Sequence, residues 1–541
     1  MSEPKPSRHL GQVFTRPEVV RFTLDEAGYI VGGPTALADG TVIEPGAGEG
    51  AFVCEIVRRL LEDTRARGRD LNSVEDAIVA FEIDGTLIPE LVANVRSTLV
   101  AEKVSHRKAS RLAMRWVRRE DFLLAEIDVA ARWVVGNPPY VRAREIPLDV
   151  RAAYQERWRT VSGRADLYVA FIEAGVSLLA PDGRLSYVCP DNWMRNDYGR
   201  GLRDRIAESF NLVTVTNLSA GNAFESEAGV YPSVFTIGRG AQGPIDVGSF
   251  SVESGPKAEL LTVRAEDVSF WQQRSPYWPR WSSSLVATLP QIWENLVTLE
   301  QSGVSVRTGL ATGRDEVFLM SRTRAEELGI ENEQRYPAVR ARELSSGREV
   351  VPSVVLVYPT CTAGPCTEAC HPGVRSYLES CADLLASRRV GDHGGKYVGW
   401  RTIDRVESIP LHETRLLIPD VRGHLEIVKV GPGVVPLHGI TSLVAPDWDL
   451  DVLAGLMISD FIHQQLQTFA TPIRGGSFRT SGQYLRNLRI PGREHINPET
   501  AGLLAHAFHG DDRGAASGVV AGLVESVSCQ GAVDGDPGRA R

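Results

Sequence analysis

The stretch Trp133-Val134-Val135-Gly136-Asn137-Pro138-Pro139-Tyr140 is where the fold of this chain can first be read. Its apolar half reads as a buried strand. Two prolines then end that strand, because neither donates a backbone hydrogen bond and each fixes φ near −65°. The chain leaves the sheet rigidly, with polar groups held at set positions. The Asn137 side-chain oxygen accepts one N–H and the Pro138 carbonyl a second, so a planar NH2 group fits between them. Tyr140 adds an aromatic face for a flat conjugated substrate. Such an amine is a poor nucleophile, and two acceptors drawing on its hydrogens favour the pyramidal form that attacks an electrophile. Taken alone, the four residues better suit a loop exit with a surface tyrosine, and it is the rest of the chain that overturns that reading.

The residues upstream add to the site. Thr41-Val42-Ile43-Glu44 reads as a strand, Pro45-Gly46-Ala47-Gly48-Glu49-Gly50 as a glycine-rich turn, and residues 51–61 as a helix. That order lets backbone approach a cofactor closely, although a tight loop in any α/β protein looks similar. A second strand, residues 77–82, ends at Glu82, where such folds place a carboxylate for the hydroxyls of a ribose. Glu82 lies well beyond the ~20 residues usual after the glycine turn. A third strand is expected at residues 114–117, followed by Asp121. Glu44, Glu82, Asp121 and Asn137 would thus stand at four successive strand ends, which line one crevice in an open parallel sheet. Further upstream, Thr15 is the expected N-cap and Pro17 the first turn of an amphipathic helix reaching about residue 24.

Downstream, residues 141–165 carry Arg142, Arg144, Arg151, Arg157, Arg159 and Arg164 among Glu145, Asp149 and Glu156. A solvated helix and a phosphate-touching loop both suit that pattern. A helix over 166–179, a strand at 184–189, a helix at 201–210 and strands at 213–218 and 234–237 complete an α/β domain over residues 1–245. Residues 246–300 hold tryptophans and prolines without a period and read as a connecting segment. Residues 301–495 mix strand-like runs (353–358, 415–419, 440–444) with helical ones (449–469), giving an α+β domain. Within it, residues 463–493 contain five arginines and no Asp or Glu. Arginines among glycines and aromatics suit a phosphate-tracking surface, which makes Arg474, Arg479, Tyr484 and Arg486 candidate DNA contacts. The Gly-, Ala- and Asp-rich tail, 496–541, is expected to be partly disordered.

At 541 residues the chain exceeds one ordinary core. It is 43% hydrophobic and 23% charged, the balance of a globular protein. No apolar run approaches the ~20 residues that span a bilayer, the first ten residues are polar, and seven cysteines are an odd number. These features lead us to expect a cytoplasmic protein. A net charge of −9 argues against a protein coated in nucleic acid but permits a local basic groove. Cys361, Cys366, Cys370, His371 and Cys381 do not follow finger or ribbon spacing, and no metal is expected.

In this order the motifs resemble the gamma-group DNA amino-methyltransferases, N6-adenine-specific enzymes of type II restriction-modification systems, of the TaqI methyltransferase kind. The likeness runs from about Gly11 to Pro491. It implies a Rossmann-like S-adenosylmethionine-dependent methyltransferase domain followed by an α+β DNA target-recognition domain. It also implies that Thr15 and Glu44, Pro45, Gly46, Ala47 and Gly48 hold the methionine end of the cofactor, Glu82 its ribose and Asp121 its adenine amino group. Phe171, in Leu167-Tyr168-Val169-Ala170-Phe171-Ile172-Glu173, matches an aromatic beside that adenine. Asn137, Pro138, Pro139 and Tyr140 match the catalytic motif, and Phe224 a second aromatic against an extruded base, with Tyr231 and Phe235 as neighbouring alternatives. Arg307 to Arg314 and Ser481 to Pro491 are similar to segments of the target-recognition domain.

The function so implied is methyl transfer from S-adenosylmethionine to the N6 amine of a flipped-out adenine in double-stranded DNA, protecting it from a cognate restriction endonuclease. Only ten residues precede Gly11, so that endonuclease is expected to be a separate chain. Three rivals remain: a glutamine-N5 protein methyltransferase, whose substrate amide is also a planar NH2; an N4-cytosine or RNA enzyme; and an inert DNA-specificity subunit, which would need neither Asn137 nor Tyr140.

Overall fold

A computed structural model describes residues 15–161, 165–218, 232–253, 255–256, 261–345, 350–358, 360–361, 364–365, 371–386, 411–473 and 477–533. The chain packs as two units, Met1–Ala287 and Thr288–Arg541.

In chain order the first unit runs α1 (Pro17–Glu26), β1 (Thr41–Glu44), α2 (Ala51–Ala66), β2 (Ile78–Phe81), α3 (Ile88–Ala101), α4 (His106–Trp116), β3 (Val117–Arg118) and β4 (Ala131–Gly136). It continues through α5 (Leu148–Arg157), α6 (Tyr168–Ser177), β5 (Leu179–Pro190), α7 (Arg200–Ser209), β6 (Phe210–Leu218) and β7 (Pro232–Arg239). It closes with β8 (Ile245–Ser251), β9 (Gly255–Pro256), β10 (Leu261–Val263) and α8 (Ala265–Arg274). All ten strands form one mixed sheet in the order β10-β8-β6-β7-β5-β4-β1-β2-β3, with β9 on β8. β1 pairs in parallel with both β2 and β4, so the chain reverses its direction of travel across the sheet between β1 and β4. A crevice opens at such a reversal, outside the carboxyl ends of the strands. This is the α/β fold expected from the strand, turn and helix order.

The glycine turn works because two of its residues take left-handed backbone, Gly48 at φ +53° and Gly50 at φ +98°. Gly50 also has no room: a Cβ there would meet Leu91 Cδ1 at 2.8 Å. α2 then buries Phe52, Val53, Ile56, Val57, Leu60 and Leu61 on one face, at helical spacing.

Two expectations are corrected. Residues 114–116 are the last turn of α4, whose Ala109, Leu112, Ala113 and Trp116 are buried at helical spacing, and β3 keeps only Val117 and Arg118. The segment 246–300 is no simple connector, since β8 to β10 extend the sheet and Trp271, Trp278 and Trp281 are buried. Its lack of period reflects a core of aromatic contacts, with the Trp278 ring 5.5 Å from Trp193 and 6.1 Å from Trp281. Part of the tail is helical, over Pro498–His509 and Arg513–Val533, and its last eight residues lie outside the described ones. The first of these helices packs closely on Leu450–Met457, where a Cβ on Gly455 would lie 2.1 Å from the Leu504 carbonyl oxygen.

The second unit is α+β. One antiparallel sheet orders Ser305–Thr308, Ile440–Val444, Arg415–Pro419 and Val428–Val430, and a second, mixed sheet orders Leu319–Met320, Val354–Val357, Arg335–Val339 and Val435–Pro436. The helix expected over 449–469 is two helices, Leu450–Met457 and Asp460–Phe469. No helix among the described residues is long and apolar enough to cross a membrane.

Candidate active site

β1 and β4 end side by side, so the glycine turn and the Asn137-Pro138-Pro139 exit meet. A Cβ built on Gly46 would touch Pro139 Cδ at 3.8 Å and the Asn137 carbonyl at 3.9 Å. Between them and β2 opens a cavity of about 770 Å³. Thr15, Glu44, Pro45, Gly46, Ala47, Gly48, Glu82, Asp121, Asn137, Pro138, Pro139 and Phe171 all line it. Every residue that the sequence suggested for a cofactor therefore faces one space.

Glu82 is fixed at both carboxylate oxygens, Oε2 accepting from the Gly48 amide at 2.7 Å and Oε1 from the Asp84 amide at 2.8 Å. The turn and the carboxylate hold each other in register. Glu44 is almost wholly buried, and burial, reinforced by the nearby Glu82 charge, pushes its carboxyl well above the usual range. Asp121 accepts from the Leu123 amide at 2.9 Å through Oδ1 and from the Tyr154 hydroxyl at 2.6 Å through Oδ2. Phe171 packs against Phe122, with ring centroids 5.4 Å apart.

Thr15 is not the helix cap. Arg16 occupies that position without a side-chain capping bond, and Thr15 instead accepts from Asn137 Nδ2 at 3.0 Å through Oγ1. Committing the amide nitrogen this way sets the plane in which the Asn137 oxygen acts as acceptor. Tyr140 does not line the cavity; its hydroxyl donates to the Val188 carbonyl at 3.1 Å and its ring meets Tyr168 edge-on at 6.5 Å. Burial raises the Tyr140 hydroxyl well above its ordinary value, which keeps it a donor. Phe224, Tyr231 and Arg474 lie outside the described residues, as do Cys366 and Cys370. Phe235 is fully buried against Trp193 and cannot face a base. Sequence reading missed Tyr154, which a buried tyrosine inside an arginine-rich helix could have signalled.

The basic stretch of the second unit is also corrected. Tyr484 is 2% exposed, with its hydroxyl 2.8 Å from Thr471 Oγ1. Arg486 donates to the Val306 carbonyl, Arg489 to the Trp293 and Leu296 carbonyls, and Arg493 to the Asp447 carbonyl. These arginines need no acidic neighbours because main-chain carbonyls distant in sequence serve as acceptors. Arg479 is exposed and Arg307 is too.

Known proteins resemble this chain in sequence and in fold. The Eco57I restriction-modification methylase family model matches residues 99–224. The type II methyltransferase M.PaeR7I of Pseudomonas aeruginosa is 33% identical over 506 residues, 89% of this chain and 86% of that protein. M.XhoI of Xanthomonas vasicola, also a type II methyltransferase, is 32% identical over 527 residues, 94% and 95% of the two chains. The structure of the type IIL restriction-modification enzyme MmeI in complex with DNA superposes with a TM-score of 0.60 at 13% identity, covering 96% of this chain and 74% of that one, a likeness of fold.

Proposed function

We propose a specific reaction for this chain, which belongs to the type II restriction-modification methyltransferases: transfer of a methyl group from S-adenosylmethionine to the N6 amine of an adenine in double-stranded DNA. The observation that carries it is the single cavity in which Asn137, Pro138 and Pro139 form one wall and Glu82, Asp121 and the glycine turn form the others.

The donors and acceptors suit that cofactor. Glu82 offers carboxylate oxygens to ribose hydroxyls, Asp121 accepts from the adenine amine, Phe171 lies against the ring, and Thr15 and residues 44–48 surround the methionine end. When bound, S-adenosylmethionine supplies the electrophilic methyl group. The chain's own part is to hold the amine. Its two hydrogens bond to the Asn137 oxygen and the Pro138 carbonyl, the lone pair turns toward the methyl, and the surplus proton leaves to water. A paired adenine hides this amine, so the base must leave the duplex and stack on Tyr140, with Phe224 as the second aromatic. In the cell this mark would protect sites from a separate cognate endonuclease. The second unit reads the target sequence, with Arg479 and its neighbour Arg474 as phosphate contacts.

The test is methyl transfer from labelled S-adenosylmethionine to unmethylated duplex DNA, followed by digestion to nucleosides and mass spectrometry. N6-methyladenine, lost in Asn137→Ala, is the expected result. N4-methylcytosine would keep the site and change the base. Cofactor binding without DNA methylation would move the substrate to a protein glutamine or an RNA.

A further inference from the structure

The arginine-rich segment after Tyr140 is a strap. Its ends are joined by a hydrogen bond from the Leu167 amide to the Val141 carbonyl, 2.9 Å. It turns Val141, Glu145, Ile146, Pro147, Val150 and Tyr154 toward the cavity, while Arg142, Arg144 and Arg159 stay exposed. α5 is then fastened to the turn that carries Asp121. Arg157 donates to the Leu124 and Ala125 carbonyls at 2.5 and 2.7 Å, and Trp158 Nε1 donates to the Leu123 carbonyl at 2.8 Å. Thr160 adds an anchor below, its amide donating to the buried Glu173 at 3.0 Å. Among these fastenings only Tyr154 reaches the Asp121 carboxylate itself.

We propose that Tyr154 is a positioning residue that makes the Asp121 edge of the cavity selective for an exocyclic amine on the cofactor's purine. The proposal rests on the reading of the cavity as an S-adenosylmethionine site. A carboxylate pinned at one oxygen can rotate about its last torsion; with Leu123 holding Oδ1 and Tyr154 holding Oδ2, its plane is fixed. The single hydroxyl proton of Tyr154 is spent on Asp121, so toward the cavity the tyrosine offers lone pairs alone. Burial, together with the hydrogen bond to Asp121, raises this hydroxyl far above its ordinary value, so the proton stays in place. The edge therefore presents acceptors only. A 6-amino purine donates to it, whereas a 6-oxo purine brings an oxygen against oxygens that cannot turn away. A site built to bond a donor rejects the analogue that lacks it because buried acceptors are left facing one another.

The test compares the affinities of the full chain for S-adenosylhomocysteine and S-inosylhomocysteine by calorimetry, in wild type, Tyr154→Phe and Trp158→Phe. Tyr154→Phe removes the proton and lets Asp121 rotate, so the preference for the 6-amino ligand should fall about five- to tenfold. Trp158→Phe loosens the strap without touching Asp121, so it should weaken both ligands alike and keep the preference. An unchanged preference in Tyr154→Phe, with both ligands weakened together, would make Tyr154 a packing residue and overturn the proposal. Wild-type protein that binds neither ligand would overturn the cofactor reading itself and this proposal with it.

Discussion

At the ends of β1, β2 and β4, polar side chains line a cavity, whereas the arginines at 486, 489 and 493 of the second unit bond to the protein's own main chain. Both regions place charged or amide groups where a ligand would meet them in a sequence drawn as a line. The difference lies in what fixes the backbone. In the first unit each polar residue follows a buried strand, and parallel pairing brings the strand ends together at one edge of the sheet. In the second unit the acceptors are carbonyls of turns and of the edge strand Ser305–Thr308, and guanidinium groups satisfy them. The same residue type is a ligand group in one setting and a fastening in the other.

That contrast breaks first at Asn137. Asn137→Ala should lower methyl transfer by at least about 10³-fold, because it removes a preset acceptor for the amine. Cofactor affinity should stay within about threefold. Equal losses in rate and affinity would show that the strand-end residues are structural like the arginines.

Glu44 sharpens the contrast further, since it faces the cavity yet is buried. Its carboxyl is raised above the ordinary 4.5, so the unfolded chain loses this proton at lower pH than the folded one does. Stability therefore falls as pH rises from the ordinary value toward the raised one. Glu44→Gln removes that slope. The variant should gain on the wild type in denaturant midpoints as pH rises above the ordinary carboxyl value, while binding S-adenosylmethionine about tenfold less tightly. A variant that gains nothing with pH would place Glu44 among the ionised groups.

In the second unit, Arg489 and Arg479 form the control pair. Arg489 lies 3.8 Å over the Trp293 ring in addition to its two carbonyls. Arg489→Ala should cost about 2 kcal/mol of stability. Exposed Arg479→Ala should leave stability within about 0.5 kcal/mol and weaken DNA binding about threefold at low salt, with a shallower salt dependence. The reverse pattern would restore the basic stretch as a DNA surface.

The smallest effect tests an inward-facing carboxylate in the first unit. Burial alone would raise Asp63, but the Gly32 and Leu37 amides and Arg67 outweigh it and hold the carboxyl below the ordinary 3.8. Its stabilisation is complete above that value and is lost as pH falls through the lowered one. Asp63→Asn should cost about 1 kcal/mol near neutral pH, and acid titration of stability should show the gap to wild type closing below about pH 4.

The sequence by itself determined the fold class and the cavity wall, because those depend on short-range rules. Prolines at 138 and 139 end a strand, glycines at 48 and 50 allow a left-handed turn, and alternating strands and helices place strand ends on one edge. It also carried the motif order that pointed to Glu82, Asp121 and Phe171. Only the tertiary structure decided the rest. Whether residues 114–116 close a helix or start a strand depended on which face of α4 the core covers. Whether residues 246–263 connect units or extend a sheet depended on pairing with strands far away in sequence. Thr15 turned out to hold Asn137 across more than a hundred residues, and Tyr154 to hold Asp121. The partners of Arg486, Arg489 and Arg493 are carbonyls, which every residue possesses, so nothing in the side-chain alphabet marks them in advance.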